Sequence, residues 1–172
     1  EYRGYPIEQL AEKSTYLEVA YLLFNGDLPS SNIALDEFRS EVKQNMTLPE
    51  NMDVIFSGFG KEAHPMAMLT TAVAALSGSY HEGIDIRDKE HQKEFFFNVL
   101  GKMPILVANV FNHNQKNANV EYDESLSYSE NILRLFFGWK DGYEINPILS
   151  KALDILLILH ADHEQNCSTS SV

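Results

Sequence analysis

HPMAMLTTAVAALSGS, residues His64 to Ser79, carries no Asp, Glu, Lys or Arg and shows no alternation of apolar with polar positions. Pro65 suits the first turn of a helix. From there Met66, Ala67, Met68, Leu69, Ala72, Val73, Ala74, Ala75 and Leu76 leave no polar face. A helix without a polar face is buried on every side. The stretch therefore predicts a central helix, or one enclosed between two copies of the chain.

Outward from it, apolar residues recur at three- and four-residue spacing and period-two alternation is nearly absent, so the chain reads as all-α. Upstream, Tyr5 to Asn25 predicts two short helices, with Thr15 and Glu18 in a capping-box pattern and Gly26 as the stop. Ser30 or Ser31 can cap a surface helix with the stripe Leu35, Phe38 and Val42. Pro49 opens a short helix through Phe56, broken by Gly58-Phe59-Gly60.

Downstream, Lys89 to Asn112 predicts a long helix with the stripe Phe96, Leu100, Met103, Val107 and Val110, kinked by Pro104 near Leu100. Asn112 to Glu124 reads as an exposed loop. Ser127 and Glu130 form a second capping box, ahead of a helix that stops at Gly138. Asn146 and Pro147 open the last helix, whose apolar residues are Ile148, Ala152, Ile155, Leu156 and Leu159.

A chain of 172 residues is sufficient for one domain or for a piece of a larger one. Thirteen basic against 25 acidic residues give a net charge of −12, which disfavours nucleic acid and anionic membranes as partners. Cys167 is the single cysteine, so no disulfide forms within the chain and the cytoplasm is the expected location. The chain opens at Glu1 without Met and is expected to be a fragment.

Three places invite a chemical reading. Gly58-Phe59-Gly60-Lys61-Glu62-Ala63 resembles a dinucleotide fingerprint, but that motif acts between a strand and a helix, and a helix end with its loop explains it better. His64, at a helix start, can cap backbone amides or meet an anion. The third place is the end of the last helix, where His160, Asp162, His163 and Glu164 fall within one and a half turns. His160 and His163 share a face, with Glu164 beside them. Residue types alone leave open a structural network, an anion site built from imidazoles, or a zinc site, although the order H-A-D-H-E fits neither common zinc-protease motif.

Four strings, RGYPIEQLAEKSTYLEVAYLLFNGDLP (Arg3 to Pro29), HPMAMLTTAVAAL (His64 to Leu76), LSYSEN (Leu126 to Asn131) and LILHADHEQNCSTS (Leu157 to Ser170), resemble the bacterial-type citrate synthases in the family's order. The resemblance implies a multi-helical large domain, of which residues 1–172 are part, with the small domain absent. It implies condensation of oxaloacetate with acetyl-CoA, an acyl transfer without metal or other cofactor, in a homodimer or higher homo-oligomer. His163 matches the family's oxaloacetate-binding histidine, with His160 and Asn166 as its pocket neighbours. The family's catalytic residues have no counterpart in these 172 positions, so the fragment alone is expected to be inactive. 2-Methylcitrate synthase, which takes propionyl-CoA, and a non-enzymatic helical dimerisation module are the alternatives. Acidic Glu121, Asp123 and Glu124 stand where NADH-inhibited members carry an arginine, which speaks against that regulation.

Overall fold

The computed structural model describes residues 1–80, 85 and 87–162. Eight helices are found among them: α1 (Ile7–Lys13), α2 (Tyr16–Asn25), α3 (Asn32–Gln44), α4 (Met52–Ser57), α5 (Pro65–Tyr80), α6 (Lys89–Gln115), α7 (Tyr128–Phe137) and α8 (Pro147–Leu159). The described extended pairing is limited to a bridge between Tyr2 and Tyr5. The fold is all-α, as the spacing of apolar residues requires.

Helix ends follow the local chemistry of the sequence. Glu18 reaches back to accept from the Thr15 amide and hydroxyl, each at 2.7 Å. Gly26 closes α2 in the left-handed region, at φ 91°, where a side chain would be strained. The Ser31 hydroxyl accepts from the Ala34 amide, and Asp88 caps α6 by accepting from Glu90 and His91. At α7, Ser127 and Glu130 complete a reciprocal box: the Ser127 amide donates to the Glu130 carboxylate at 2.8 Å and the Glu130 amide to the Ser127 hydroxyl at 3.3 Å.

The chain forms two packing units. The first comprises Glu1–Arg39, Ser127–Glu130 and the described residues from Ile145 onward. Its core joins Tyr2, Leu10, Val19, Leu22 and Ile158, with α1 and α2 packed on α8. The second comprises Ser40–Leu126 and Asn131–Glu144. There α4, α5 and α6 pack on one another around Met52, Phe56, Met68, Ala72, Leu76, Leu106 and Val110.

Four expectations need correction. α4 begins at Met52, because Pro49 is used one turn earlier, its carbonyl accepting from the Met52 amide. α6 runs on to Gln115, so Asn112 is helical and fully buried, donating to the Leu135 carbonyl at 3.1 Å. Of the expected stripe on α6, Val110 is buried and Phe96, Leu100, Met103 and Val107 are half-buried, whereas Phe97, Gly101, Lys102, Pro104, Leu106, Ala108, Asn109 and Asn112 are buried outside it. A helix covered on several sides has no single stripe to read. A Cβ on Gly101 would lie 2.8 Å from the Asn45 backbone carbon, so the close approach, and not apolarity, decides that position. Finally, of the two readings of α5 the central helix fails, because Met68, Ala72 and Leu76 are inside the chain while Met66, Ala67, Thr70, Thr71 and Ala74 are exposed. By length and composition α6 could cross a membrane, but half of its most apolar stretch is buried within the chain, as in a core helix.

Candidate functional site

The candidate site lies at the end of α8, and the helix is placed by its other end. The Asn146 side chain accepts from the Ile148 and Leu149 amides, and Pro147 fills the first turn, where its missing amide costs nothing. Thirteen residues of helix then carry the chain to His160.

The face that α8 turns inward is not the apolar one. Ser150, Asp154 and Ile158 are buried, whereas Ile148 is 76% exposed and Leu156 52%. Of the apolar residues read along this helix, Ile148, Ala152, Leu156 and Leu159 are exposed and Ile155 is half-buried. The polar inner face is tolerated because its groups are bonded. The Ser150 and Ser129 hydroxyls lie 3.0 Å apart. Asp154 accepts from the Tyr16 amide at 3.2 Å, so a side chain of α8 caps the first turn of α2. Burial pushes the Asp154 carboxyl above its ordinary pKa, and the Tyr16 amide and Lys151 counter this only in part. Tyr16 stacks at a tilt on Tyr128, 5.3 Å between ring centres, and burial drives the Tyr128 phenol well above its usual range.

At the C-terminus of α8, His160 is exposed and its Nδ1 lies 2.7 Å from the Leu156 carbonyl oxygen. A carbonyl only accepts, so Nδ1 carries the proton. Nε2 is then the ring nitrogen left to face outward. Two residues on, the Asp162 amide donates to the Tyr2 hydroxyl at 3.4 Å, while that hydroxyl donates to the Ile158 carbonyl at 3.0 Å. Tyr2 is buried, and no motif in the sequence points to it.

Of the site residues expected from the sequence, His160 is thus the capping residue of its own helix, and His163 and Asn166 lie outside the described residues, as do Glu164 and Cys167. His64 caps α5, its Nδ1 accepting from the Met66 amide at 3.2 Å. Gly58 ends α4 with its amide on the Val54 and Ile55 carbonyls, which gives the glycine-rich string the role of a helix end. Elsewhere, in the second unit, a groove of about 330 Å³ is lined by Glu41, Gln44, Asn45, Glu90, His91, Lys93, Glu94 and Phe97. Lys93 closes part of it with an ion pair to Glu41 at 3.0 Å.

The family described as citrate synthase, C-terminal domain, matches residues 1–172. The chain belongs to the citrate synthase family. It is 43% identical over 172 residues to citrate synthase 1 of Mycobacterium tuberculosis, a match that covers 99% of this chain and 40% of that protein. Against the citrate synthase of Corynebacterium glutamicum the identity is 45% over 174 residues, with 99% and 39% covered. The chain thus spans about two-fifths of the length of these relatives. Among solved structures, Pyrobaculum aerophilum citrate synthase aligns with a TM-score of 0.77 at 33% identity, over 94% of this chain and 41% of its own. Citrate synthase from Thermoplasma acidophilum, solved as a ternary complex with carboxymethyl coenzyme A and oxaloacetate, aligns with a TM-score of 0.85 at 26% identity, over 97% and 42%.

Proposed function

We propose that a protein of the relatives' full length carrying this chain condenses oxaloacetate with acetyl-CoA and water to give citrate and CoA, and that residues 1–172 supply part of its large helical domain. The observation that carries this reading is the agreement of sequence and helical fold over essentially the whole chain, up to the segment holding H-A-D-H-E. In it, His163 binds oxaloacetate, with His160 and Asn166 beside it. Histidines at a helix end hold an anionic substrate in place and stabilise charge as it develops on the reacting carbonyl. The α-carbon of the acetyl group, once deprotonated, attacks the ketone of oxaloacetate, and hydrolysis of the thioester then releases CoA. No metal or other cofactor takes part.

The protein acts as a homodimer in the cytoplasm. Support for the dimer comes from two apolar surfaces that the chain leaves open, the outer faces of α5 and α8; the location rests on the single cysteine.

The test is release of CoA thiol by the full-length protein with acetyl-CoA and with propionyl-CoA, each dependent on oxaloacetate. Preference for acetyl-CoA is expected. Preference for propionyl-CoA would overturn the choice of acyl group, and no release with either would overturn the function. Sedimentation of the same sample is expected to give a dimer or a multiple of it, and a monomer that keeps full activity would remove the assembly from the reading.

A further inference from the structure

Asn25-Gly26 and Asp141-Gly142 are the two places where the chain sets Asn or Asp directly before glycine. Such a pair is prone to cyclise, because the glycine nitrogen can close a five-membered ring on the preceding side-chain carbonyl carbon with no Cβ of its own in the way. We infer that the fold directs this chemistry to Asp141-Gly142, a site of spontaneous isoaspartate formation, and withholds it from Asn25-Gly26.

Room does not separate the two places. Asn25, Gly26, Asp141 and Gly142 are all exposed, and a Cβ on either glycine would meet nothing within 4 Å. The attacking amide does separate them. Gly26 ends α2 with its amide donating to the Leu22 carbonyl at 2.8 Å, and Asn25 is the last residue of that helix, its carboxamide donating to the Tyr21 carbonyl at 3.1 Å. Both bonds must open before the ring can close.

Asp141 and Gly142 are instead the central pair of a turn, closed by the Tyr143 amide on the Lys140 carbonyl at 3.1 Å. Gly142 has φ 72°, as the third position of a type II turn requires. The turn's closing bond does not use its amide. Among the described residues neither the Gly142 amide nor the Asp141 carboxyl has a hydrogen-bond partner, so nucleophile and target are adjacent and both unpaired.

In the reaction the Gly142 nitrogen bonds to the Asp141 side-chain carbonyl carbon, and the amide proton and the carboxyl hydroxyl leave together as water. Water then reopens the ring at one of its two carbonyls. Opening at the main-chain carbonyl breaks the original peptide bond and leaves the chain running through the side chain, one methylene longer, whereas opening at the other restores aspartate. The net change is an isomerisation. It falls where the backbone is closely used: the Tyr143 and Phe137 ring centres are 6.0 Å apart, and Lys140 Nζ lies 5.3 Å from the ring centres of both Phe137 and Trp139. An added methylene between Asp141 and Gly142 pulls the Lys140 carbonyl from the Tyr143 amide and loosens the aromatic end of α7.

The test is ageing of the full-length protein at neutral pH, folded and in urea, with isoaspartate located by peptide mapping. At Asn25 the folded protein should react at least about tenfold more slowly than the unfolded, since reaction waits for an opening. At Asp141 the two rates should agree within about threefold, because the turn has no bond to open there. Asp141→Ala should abolish the product in that peptide and leave the Asn25 rates unchanged. Suppression at Asp141 by about tenfold or more on folding, or no isoaspartate there in either state, overturns the site. Product that persists in the same peptide of Asp141→Ala comes from another residue and overturns the assignment, and an Asn25 rate unchanged by folding overturns the protection.

Discussion

α3 and α8 are both thirteen residues long, yet they bury opposite kinds of side chain. α3 puts Leu35, Phe38 and Val42 inside and turns Asp36, Glu37, Lys43 and most of its other polar residues to water. α8 puts Ser150 and Asp154 inside with Ile158, and leaves Ile148, Leu149, Leu156 and Leu159 exposed. The first helix answers to one demand, the core of its own chain. The second answers to two, because its inner face is specified by hydrogen bonds and its outer face keeps an apolar surface available to something else. Apolar content therefore locates the core side of α3 and misplaces that of α8.

The contrast breaks most sharply at Phe38. It is buried and meets Tyr21 edge-on, 5.3 Å between ring centres. Phe38→Ala should cost about 3 to 5 kcal/mol in denaturant unfolding of the full-length protein. A cost below about 1 kcal/mol would mean that α3 contributes no more to its core than a surface helix does.

On α8 the buried position to test is Asp154. Asp154→Ala leaves the Tyr16 amide without its acceptor and should cost about 1 to 3 kcal/mol. The pH dependence sharpens this. Because burial raises its pKa above the ordinary 3.8, the folded chain keeps the Asp154 proton where the unfolded chain has lost it. Folded protein then binds more protons than unfolded, so stability from this group is greatest at low pH, falls as pH rises from about 3.8 through the raised value, and is level above it. Asp154→Asn retains an oxygen for the Tyr16 amide and has no proton to lose. Its unfolding free energy should lack that slope, and identical slopes in the two proteins would show that the carboxyl is not constrained by burial.

The same division explains what the sequence discloses. Caps are written locally: Glu18 lies three residues from Thr15, Glu130 three from Ser127, and Asn146 directly before Pro147, so each helix start could be read from neighbours. The all-α class and the amphipathic α3 follow from one period of apolar residues. Tyr2 is different. Its hydroxyl acts on Ile158 and Asp162, and neither spacing nor residue type links the first turn of the chain to the end of α8. Asp154 is hidden for the same reason, since the amide it caps belongs to α2. The histidine cluster stands out by residue type and spacing alone, whereas the commitment of His160 Nδ1 to Leu156 depends on where α8 stops. α5 sits between these cases, because its lack of a polar face is plain but which side the chain covers is not.

Leu156 gives the smallest expected effect on the folded chain and the most direct reading of α8's outer face. Its side chain is half exposed in the single chain, so truncation to Ala removes little buried area and should change unfolding of the dissociated protein by about 0.5 kcal/mol or less. If that face rests against a second copy, two-fold symmetry removes two side chains for every dimer. Dilution should then dissociate Leu156→Ala at a protein concentration about tenfold higher than wild type, a shift of about 1.4 kcal/mol. Phe38→Ala should behave in the opposite sense, losing stability within each chain at any concentration. Should Leu156→Ala instead unfold as readily as Phe38→Ala while its dissociation is unchanged, α8's outer face would have to be part of its own chain's core, and the two helices would differ in composition but not in role.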